Sequence, residues 1–285
     1  MPNIEKHLKR IERTKKPFQI PGIDYIYLIN LDSRPEKLER SVRQLKRYGI
    51  EAERLAAIYG WTLSQDVFDD IGMKFLPPMD FRFDGSVFFR PASDQLDAGE
   101  KLDASCYGKT CVHQTTSAGS LGGSLSHLSC LQDAYEKGSE TVWILEDDFT
   151  LEKDPKILSS IILSLDQLIG KENWDLLYTD DDHHFNRYGD LTIDPRPDRP
   201  PFRLVVEHTP IGQGFVRIGG RHQLHSVIYR KSGIEKILNY IKTFGLFHTF
   251  DVEINFTPEL KKYNFQNAPV HGRGRTTSDT QMKCF

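Results

Sequence analysis

The chain has 285 residues, with 37 Lys and Arg against 40 Asp and Glu, a net charge of −3 and a hydrophobic content of 38%. This balance excludes a basic nucleic-acid-binding field and a disordered polymer, and no apolar run approaches the ~20 residues of a membrane-spanning helix. At roughly 150 residues per domain, the length suits one large domain or two. The cysteines Cys106, Cys111, Cys130 and Cys284 are too scattered for a disulfide framework and lack the second pair a zinc site needs, so reduced thiols are expected. The first residues lack the apolar core of a signal peptide, which predicts a cytoplasmic setting.

Residues 1–22 form a basic leader, with Lys6, Lys9, Arg10, Arg13, Lys15 and Lys16 against Glu5 and Glu12. Ile4, Leu8 and Ile11 fall at helical spacing. This predicts a short amphipathic helix, either lying on the anionic inner face of a membrane or solvated and docked on the body, with a frayed end as the other alternative. Residues 24–31 read as a buried strand rich in Tyr and Ile. Ser33 and Glu36 have capping-box spacing, Pro35 suits a first helical turn, and Leu38, Val42 and Leu45 share one face before Gly49. A second strand at 51–57 completes a β-α-β opening, the signature of an α/β fold with a mostly parallel sheet.

Residues 61–120 show little periodicity and read as an insertion of loops with short strands. A helix is expected at about 124–137 on Leu125, Leu128 and Leu131, closed by Gly138. A strand at 141–146, a helix at 155–169 capped by Asp154, and a strand at 174–179 follow. Residues 180–201 look like a polar loop, with strand-like pieces near 203–206, 214–218 and 225–230. Ser232 and Glu235 form a second capping box ahead of Ile234, Ile237, Leu238 and Ile241, and Gly245 ends that helix. The tail, 271–285, reads as an extended arm.

The sharpest chemical feature is Glu146-Asp147-Asp148, directly after the 141–146 strand. Three carboxylates at a strand end repel one another, and a divalent cation relieves the cost. Oxygen ligands suit Mg²⁺ or Mn²⁺, and ligands of open α/β sheets gather at the carboxyl ends of strands. Gly122 and Gly123 ahead of the expected helix suggest an anion site on its first N–H groups, with Ser126 and His127 facing the same cleft. Asp180-Asp181-Asp182-His183-His184 is either a second metal cluster or a solvated loop. His248, Asp251 and Glu253 cluster after the 234–244 helix, and Arg273 and Arg275 in the tail suit phosphate pairing or solvent.

With these residues in hand, the chain resembles glycosyltransferase family 25, the lipopolysaccharide and lipooligosaccharide transferases that include the collagen galactosyltransferases. Tyr27 to Asp32 with Arg34 is similar to the family's first-strand motif. Ala56-Ala57-Ile58-Tyr59-Gly60 resembles the end of its second strand, with Tyr59 where an Asp is usual. Gly122 to His127 is similar to its glycine-to-Ser-His block, with Ser124 in place of a Cys. Ile144 to Asp148 resembles the family's Leu-Glu-Asp-Asp motif, and Trp174-Asp175, Tyr229 to Ile234, Phe250-Asp251 and Ser278-Asp279 resemble later landmarks. The similarity runs over about residues 24–280.

The resemblance implies a GT-A type nucleotide-sugar-binding fold: a catalytic domain over 23–270 between the 1–22 leader and the 271–285 arm. It implies transfer of galactose or glucose from a UDP-sugar to a glycan or glycolipid acceptor, with Mn²⁺ or Mg²⁺ at the acidic motif. Glu146 and Asp148 are then the metal ligands, Asp148 more directly than Asp147. Asn30, Asp32, Arg34, Gly123, Ser126, His127, Glu146, Asp147, Ser278 and Asp279 fall to the donor. Asp251 is the expected general base of an inverting transfer, with Glu253 as the alternative. Two rivals remain open: a metal-dependent phosphohydrolase, and a sugar-nucleotide-binding protein with a degenerate site.

Overall fold

The computed structural model describes residues 2–79, 85–86, 102–181, 192–193, 196–198, 204–205 and 207–272. The chain opens as expected, with β1 (Tyr25–Asn30), α1 (Pro35–Lys46) and β2 (Glu53–Ala56) forming a parallel β-α-β unit. Next come α2 (Gln65–Ile71), β3 (Met73–Lys74), β4 (Gly85–Ser86) and β5 (Thr110–His113), whose strands make a small antiparallel sheet in the order β3-β5-β4. The long helix α3 (Ala118–Glu136) leads into β6 (Thr141–Glu146), which pairs with the free edge of β1, again parallel. β7 (Phe149–Leu151), α4 (Leu158–Ile169) and β8 (Leu176–Tyr178) follow. β9 (Thr192–Ile193) pairs with β10 (Leu204–Val205) away from the main sheet. β11 (His208–Gly212), β12 (Phe215–Ile218) and β13 (Ser226–Arg230) precede α5 (Lys231–Phe244) and the short α6 (Phe250–Glu253). β14 (Lys262–Phe265) joins the main sheet, and β15 (Val270–Gly272) pairs with β7.

The α/β class holds. The central sheet has eight strands in the order β11-β12-β14-β8-β13-β6-β1-β2 and is mixed in direction. The run β2-β1-β6 and the pair β8-β14 are parallel; β13 is antiparallel to both β6 and β8. Ser226, the first residue of β13, sits opposite Leu145 near the carboxyl end of β6, so the chain enters β13 from that end and must descend.

Side-chain alternation splits the core into two layers. Tyr25, Tyr27 and Ile29 of β1, with Val142 and Ile144 of β6, face α3 and α5. Ile26, Leu28, Trp143 and Leu145 face α1 and α4, where Leu45, Leu158, Ile161 and Leu165 meet them. By the same alternation Glu146 belongs to the α3 side.

Three helix starts differ from the sequence reading. Pro35 occupies the first helical position of α1, which makes Arg34 the cap residue and leaves Ser33 outside, without a side-chain cap bond. α3 begins at Ala118 because the Ser117 hydroxyl caps it, accepting from Ser120 N at 3.0 Å. Gly122 and Gly123 therefore lie inside the helix, and the expected anion site at its first N–H groups is not at those glycines. α5 starts at Lys231, with Arg230 as cap, and the Ser232 hydroxyl donates instead to Asp175 Oδ1 at 2.5 Å.

The leader is docked on the body, as one reading has it, but not as an amphipathic helix. Only Ile4–His7 is helical, as a short 3-10 turn, and the rest is a strap across the body. Ile4 and Ile20 are buried in the core. Arg13 Nε donates to Asp133 Oδ2 at 2.7 Å and its Nη2 to Ser139 Oγ at 3.0 Å, with its guanidinium 4.2 Å above the Tyr25 ring. The backbone N–H of Lys15 donates to Glu53 Oε2 at 3.0 Å, and Lys9 Nζ donates to Ala56 O at 2.6 Å. Arg13 and Lys9, expected to face solvent or a membrane, thus anchor the strap to the fold. Arg13→Ala is expected to lower the unfolding free energy in urea by about 3 kcal/mol, because it leaves the buried Asp133 carboxylate without its cation and with the Tyr27 hydroxyl as its donor; an unchanged midpoint would show the strap to be loosely held.

A second stability test comes from β14. Lys262 is buried, its ammonium donates to Asn255 Oδ1 at 3.0 Å, and burial pushes its pKa down to about 7. Between that value and the ordinary 10.5, the unfolded chain holds a proton that the folded chain has lost, so this residue's penalty shrinks as pH rises through that window. Lys262→Met is therefore expected to raise the unfolding free energy at pH 6 by ~2–4 kcal/mol and to narrow that advantage by pH 10. Denaturant titrations at both pH values check it, and a pH-independent difference would contradict the assignment.

Candidate active site

The site grows from the carboxyl end of β6. The antiparallel register that sets Ser226 against Leu145 sets His225 against Glu146, and Glu146 N donates to His225 O at 3.1 Å. His225 and Glu146 therefore project on the same face. His225 Nδ1 lies 2.8 Å from Asp148 Oδ1 and 3.5 Å from Glu146 Oε2. One ligand atom from each of Glu146, Asp148 and His225 falls within 4.8 Å of the others. Donor atoms around a small divalent ion at about 2.1 Å stand about 3 Å apart, so these spacings suit a shared cation. His225 Nε2 is buried without a hydrogen-bond partner, so Nδ1 carries the polar contacts of this ring.

On the α3 side, His127 Nε2 sits 2.9 Å from Glu146 Oε1, and its ring stacks on Phe250 at 5.2 Å. Burial acts to raise the Glu146 pKa. The hydrogen bonds and charges of His127 and His225 outweigh it and hold the carboxyl below the usual carboxylate range. His225 shows the mirror effect: burial lowers its pKa, while Asp148 and Glu146 raise it well above an ordinary imidazole. Two carboxylates and two imidazoles thus compensate one another at the strand end.

Asp147 turns the other way, toward α1. Its Oδ2 accepts from Asn30 Nδ2 at 2.7 Å, and its backbone oxygen accepts from Arg40 Nη2 at 2.8 Å and Ser41 Oγ at 3.0 Å. Lys37 Nζ lies 3.8 Å from Oδ1. Burial outweighs these partners and raises Asp147 to about 6. Asn30 is itself committed, donating to Arg34 O at 3.0 Å and accepting from Arg54 Nε at 3.1 Å. Asp32 pairs with Arg54 Nη2 at the rim.

The opposite wall is the turn after β2. Gly60 packs so close to α3 that a Cβ there would lie 1.8 Å from Ala118 O, and a Cβ on Gly122 would lie 2.4 Å from Ile58 O. Ser126 fastens the same contact, since its hydroxyl donates to Gly122 O at 2.7 Å and accepts from Ile58 N at 2.8 Å. Between these walls lies a cleft of about 630 Å³ with its open mouth, lined by both strand ends, Lys37, Gly123, His127 and the acidic triplet.

Of the expected donor residues, Asn30, Gly123, His127, Glu146 and Asp147 line this cleft. Ser126 is buried behind it. Arg34 caps α1, 3.7 Å from Glu36. Ser278 and Asp279 lie outside the described residues, as do Arg273, Arg275, Asp182, His183 and His184. Asp180 pairs in the interior with Arg221 Nη2 at 3.1 Å, and Asp181 pairs with His271, so neither is part of the triad.

The two expected bases do not line the cleft. Asp251 Oδ2 accepts from Gln223 N at 2.9 Å, and Oδ1 from Val252 N at 3.0 Å and Thr249 Oγ1 at 2.5 Å. Burial would raise it, but His222 and these donors hold it below the usual range. Glu253 is a correction: it is fully buried, ion-paired with Arg196, and accepts from Phe247 N at 2.8 Å, His248 N at 2.7 Å and Tyr240 Oη at 3.1 Å. A carboxylate so saturated anchors the 245–248 turn and has no approach for an acceptor. His225 is the site residue that motif reasoning missed. Its signal was the 225–230 strand, once that strand is set antiparallel to β6.

Residues 23–193 match the family model described as glycosyltransferase family 25 (LPS biosynthesis protein), and the chain belongs to this family. A glycosyltransferase 25 family member of Aedes aegypti is 29% identical over 62% of this chain and 24% of its own length. Procollagen galactosyltransferase 1-B of Xenopus laevis is 27% identical over 57% of this chain and 22% of its own. The human inactive glycosyltransferase 25 family member 3 is 24% identical over 58% of this chain and 23% of its own. The chain thus spans about a quarter of the length of these relatives. Among solved structures, a mannose-1-phosphate geranyltransferase of Thermus thermophilus aligns with 50% of this chain and 49% of its own at 9% identity and a TM-score of 0.27, too slight to carry an argument.

The role of Glu253 is open to direct measurement. Glu253→Gln leaves the buried Arg196 guanidinium with Asp198 as its remaining carboxylate and weakens the acceptor of Phe247 N and His248 N, so it is expected to lower the unfolding free energy by ~1–3 kcal/mol. A variant of wild-type stability would release Glu253 from its structural role.

Proposed function

We propose that the chain moves a hexose, galactose or glucose, from a UDP-sugar to a hydroxyl of a lipopolysaccharide-type glycan or glycolipid, with inversion, on a GT-A type fold. The observation that carries this reading is the convergence of Glu146, Asp148 and His225 at the floor of the cleft. Two carboxylates with one imidazole are a softer set than the all-oxygen shell Mg²⁺ prefers, which favours Mn²⁺. A bound ion there supplies charge neutralisation for the departing diphosphate.

The chain's own groups do the rest. His127 and His225 hold the Glu146 carboxylate, and the His225 backbone oxygen holds its main chain. Asn30 and Lys37 draw Asp147 to the α1 wall, leaving Asp148 as the inward acid. Of the two downstream carboxylates Asp251 alone has exposed area, 23% of its side chain, so it stays the proposed general base, for an acceptor that reaches it from outside the cleft lining. No helix among the described residues is long and apolar enough to cross a membrane. On this reading the enzyme is cytoplasmic and meets its acceptor at the inner membrane face, with Lys6, Lys9, Arg10 and Lys16 as exposed cations of the strap.

A screen of UDP-, GDP- and CMP-sugars with Mn²⁺ tests the reading. Slow, chelator-sensitive hydrolysis of UDP-galactose or UDP-glucose is expected, faster with a glycan acceptor. His225→Ala and Asp148→Asn should each weaken Mn²⁺-dependent UDP binding by at least ~10-fold in calorimetry. Hydrolysis indifferent to every acceptor favours a phosphohydrolase; UDP binding without turnover favours a degenerate binder.

A further inference from the structure

The two ends of the cleft differ in chemistry. One end holds the acidic triplet with His127; the other is the turn after β2, where Tyr59 and Trp61 flank Gly60. Tyr59 is 48% exposed and lines the cleft, so its amphipathic ring offers a contact surface to whatever enters there.

Its exposure does not come from a loose loop. Ala57 N donates to Asn30 O at 2.9 Å, Ile58 N to Ser126 Oγ at 2.8 Å, and Leu63 N to Gly60 O at 3.1 Å. Thr62 Oγ1 donates to Tyr59 O at 3.0 Å. Gly60 and Gly122 bring the turn into backbone contact with α3, with no room for a Cβ on either side. The backbone that carries the two rings is therefore fixed before any ligand arrives, which is the condition for a low-entropy contact surface.

β6, β1 and β2 are adjacent strands, so the ends of β6 and β2 stand two strand spacings apart, about 10 Å. A nucleoside diphosphate whose phosphates lie at the Glu146 end reaches with its base toward the β2 end. Resting on the function proposed above, we propose that Tyr59 and Trp61 form the stacking wall for the donor's nucleobase. Aromatic walls accept any base face, so they set affinity for the nucleoside, while the acidic end sets the need for a metal.

Calorimetry on the full chain with Mn²⁺ separates the two ends, using UDP and inorganic pyrophosphate as probes. Tyr59→Leu should weaken UDP binding about 5- to 100-fold while leaving pyrophosphate binding and the melting temperature unchanged. Tyr59→Phe keeps the ring and should keep UDP affinity. Undiminished UDP affinity in Tyr59→Leu overturns the proposal, as does an equal loss for pyrophosphate. An unchanged UDP affinity with a raised acceptor KM would assign the wall to the acceptor instead, also against it. If the wild-type chain binds neither probe, the functional reading itself fails; if it binds pyrophosphate as tightly as UDP, only the base wall fails.

Discussion

Two carboxylates, Glu146 and Asp148, face one cleft from a single strand end, and the structure around them is arranged to make that tolerable. Like charges this close disfavour one another's ionisation, and burial adds to the cost. The compensation comes from two imidazoles that reach Glu146 from different directions: His127 from the buried helix α3, and His225 from the antiparallel neighbour β13. The third acid, Asp147, is turned by the alternation of the chain toward Asn30 and Lys37 of α1, although burial and the charges of Asp148 and Glu146 still raise its pKa to about 6. All three acids line the cleft, but Glu146 and Asp148 share His225 while Asp147 ties the sheet to a helix.

This arrangement depends on the mixed direction of the sheet. Had β13 run parallel to β6, its first residues would have lain at the opposite edge of the molecule and His225 with them. Because residues 219–225 bring the chain to the carboxyl end of β6 before β13 begins, the residue just ahead of the strand becomes the cross-strand neighbour of Glu146. The same segment supplies Arg221, which closes over Asp180, and Gln223, which holds Asp251. One short link thus connects the acidic pair, the interior of the sheet and the carboxylate of α6 that keeps exposed area.

Much of this is legible in local chemistry. β1, α1, β2 and β6 follow from apolar runs, a proline at a helix start and glycines at helix ends, and Glu146 to Asp148 stand out because such a triplet at a strand end needs a reason. The helix starts are less legible, since an S-x-x-E spacing competes with whatever else wants the serine: Pro35 displaces Ser33, and Asp175 claims Ser232. α3 starts well ahead of its expected first turn because it is buried on nearly all sides, so no amphipathic period marks its beginning. Its serines close on their own helix instead, Ser124 to Ser120 O at 2.9 Å and Ser129 to Leu125 O at 2.7 Å. His225 is invisible to motif reasoning because its meaning lies in a register between strands far apart in sequence, which no local pattern encodes. The leader misleads for a related reason: its cations read as a membrane face, yet Arg13 and Lys9 answer acceptors on β1, β2 and α3 that are distant along the chain.

Asp251 and Glu253 show how two residues close together on one short helix come to hold opposite positions. α6 is a single turn whose start at Thr249 is pinned by the Phe250 ring lying on His127. With Phe250 fixed toward the site, Asp251 is carried to the outer side, against the 222–223 loop, and keeps part of its surface in solvent. Glu253, two positions on, is swung inward, where Arg196, Tyr240 and two backbone N–H groups enclose it. The inward carboxylate thereby makes the turn rigid, and the rigid turn holds Phe250 on His127 and so holds Glu146. Glu253 thus meets the site from behind, through a chain of packed contacts, while Asp251 keeps part of its side chain in solvent.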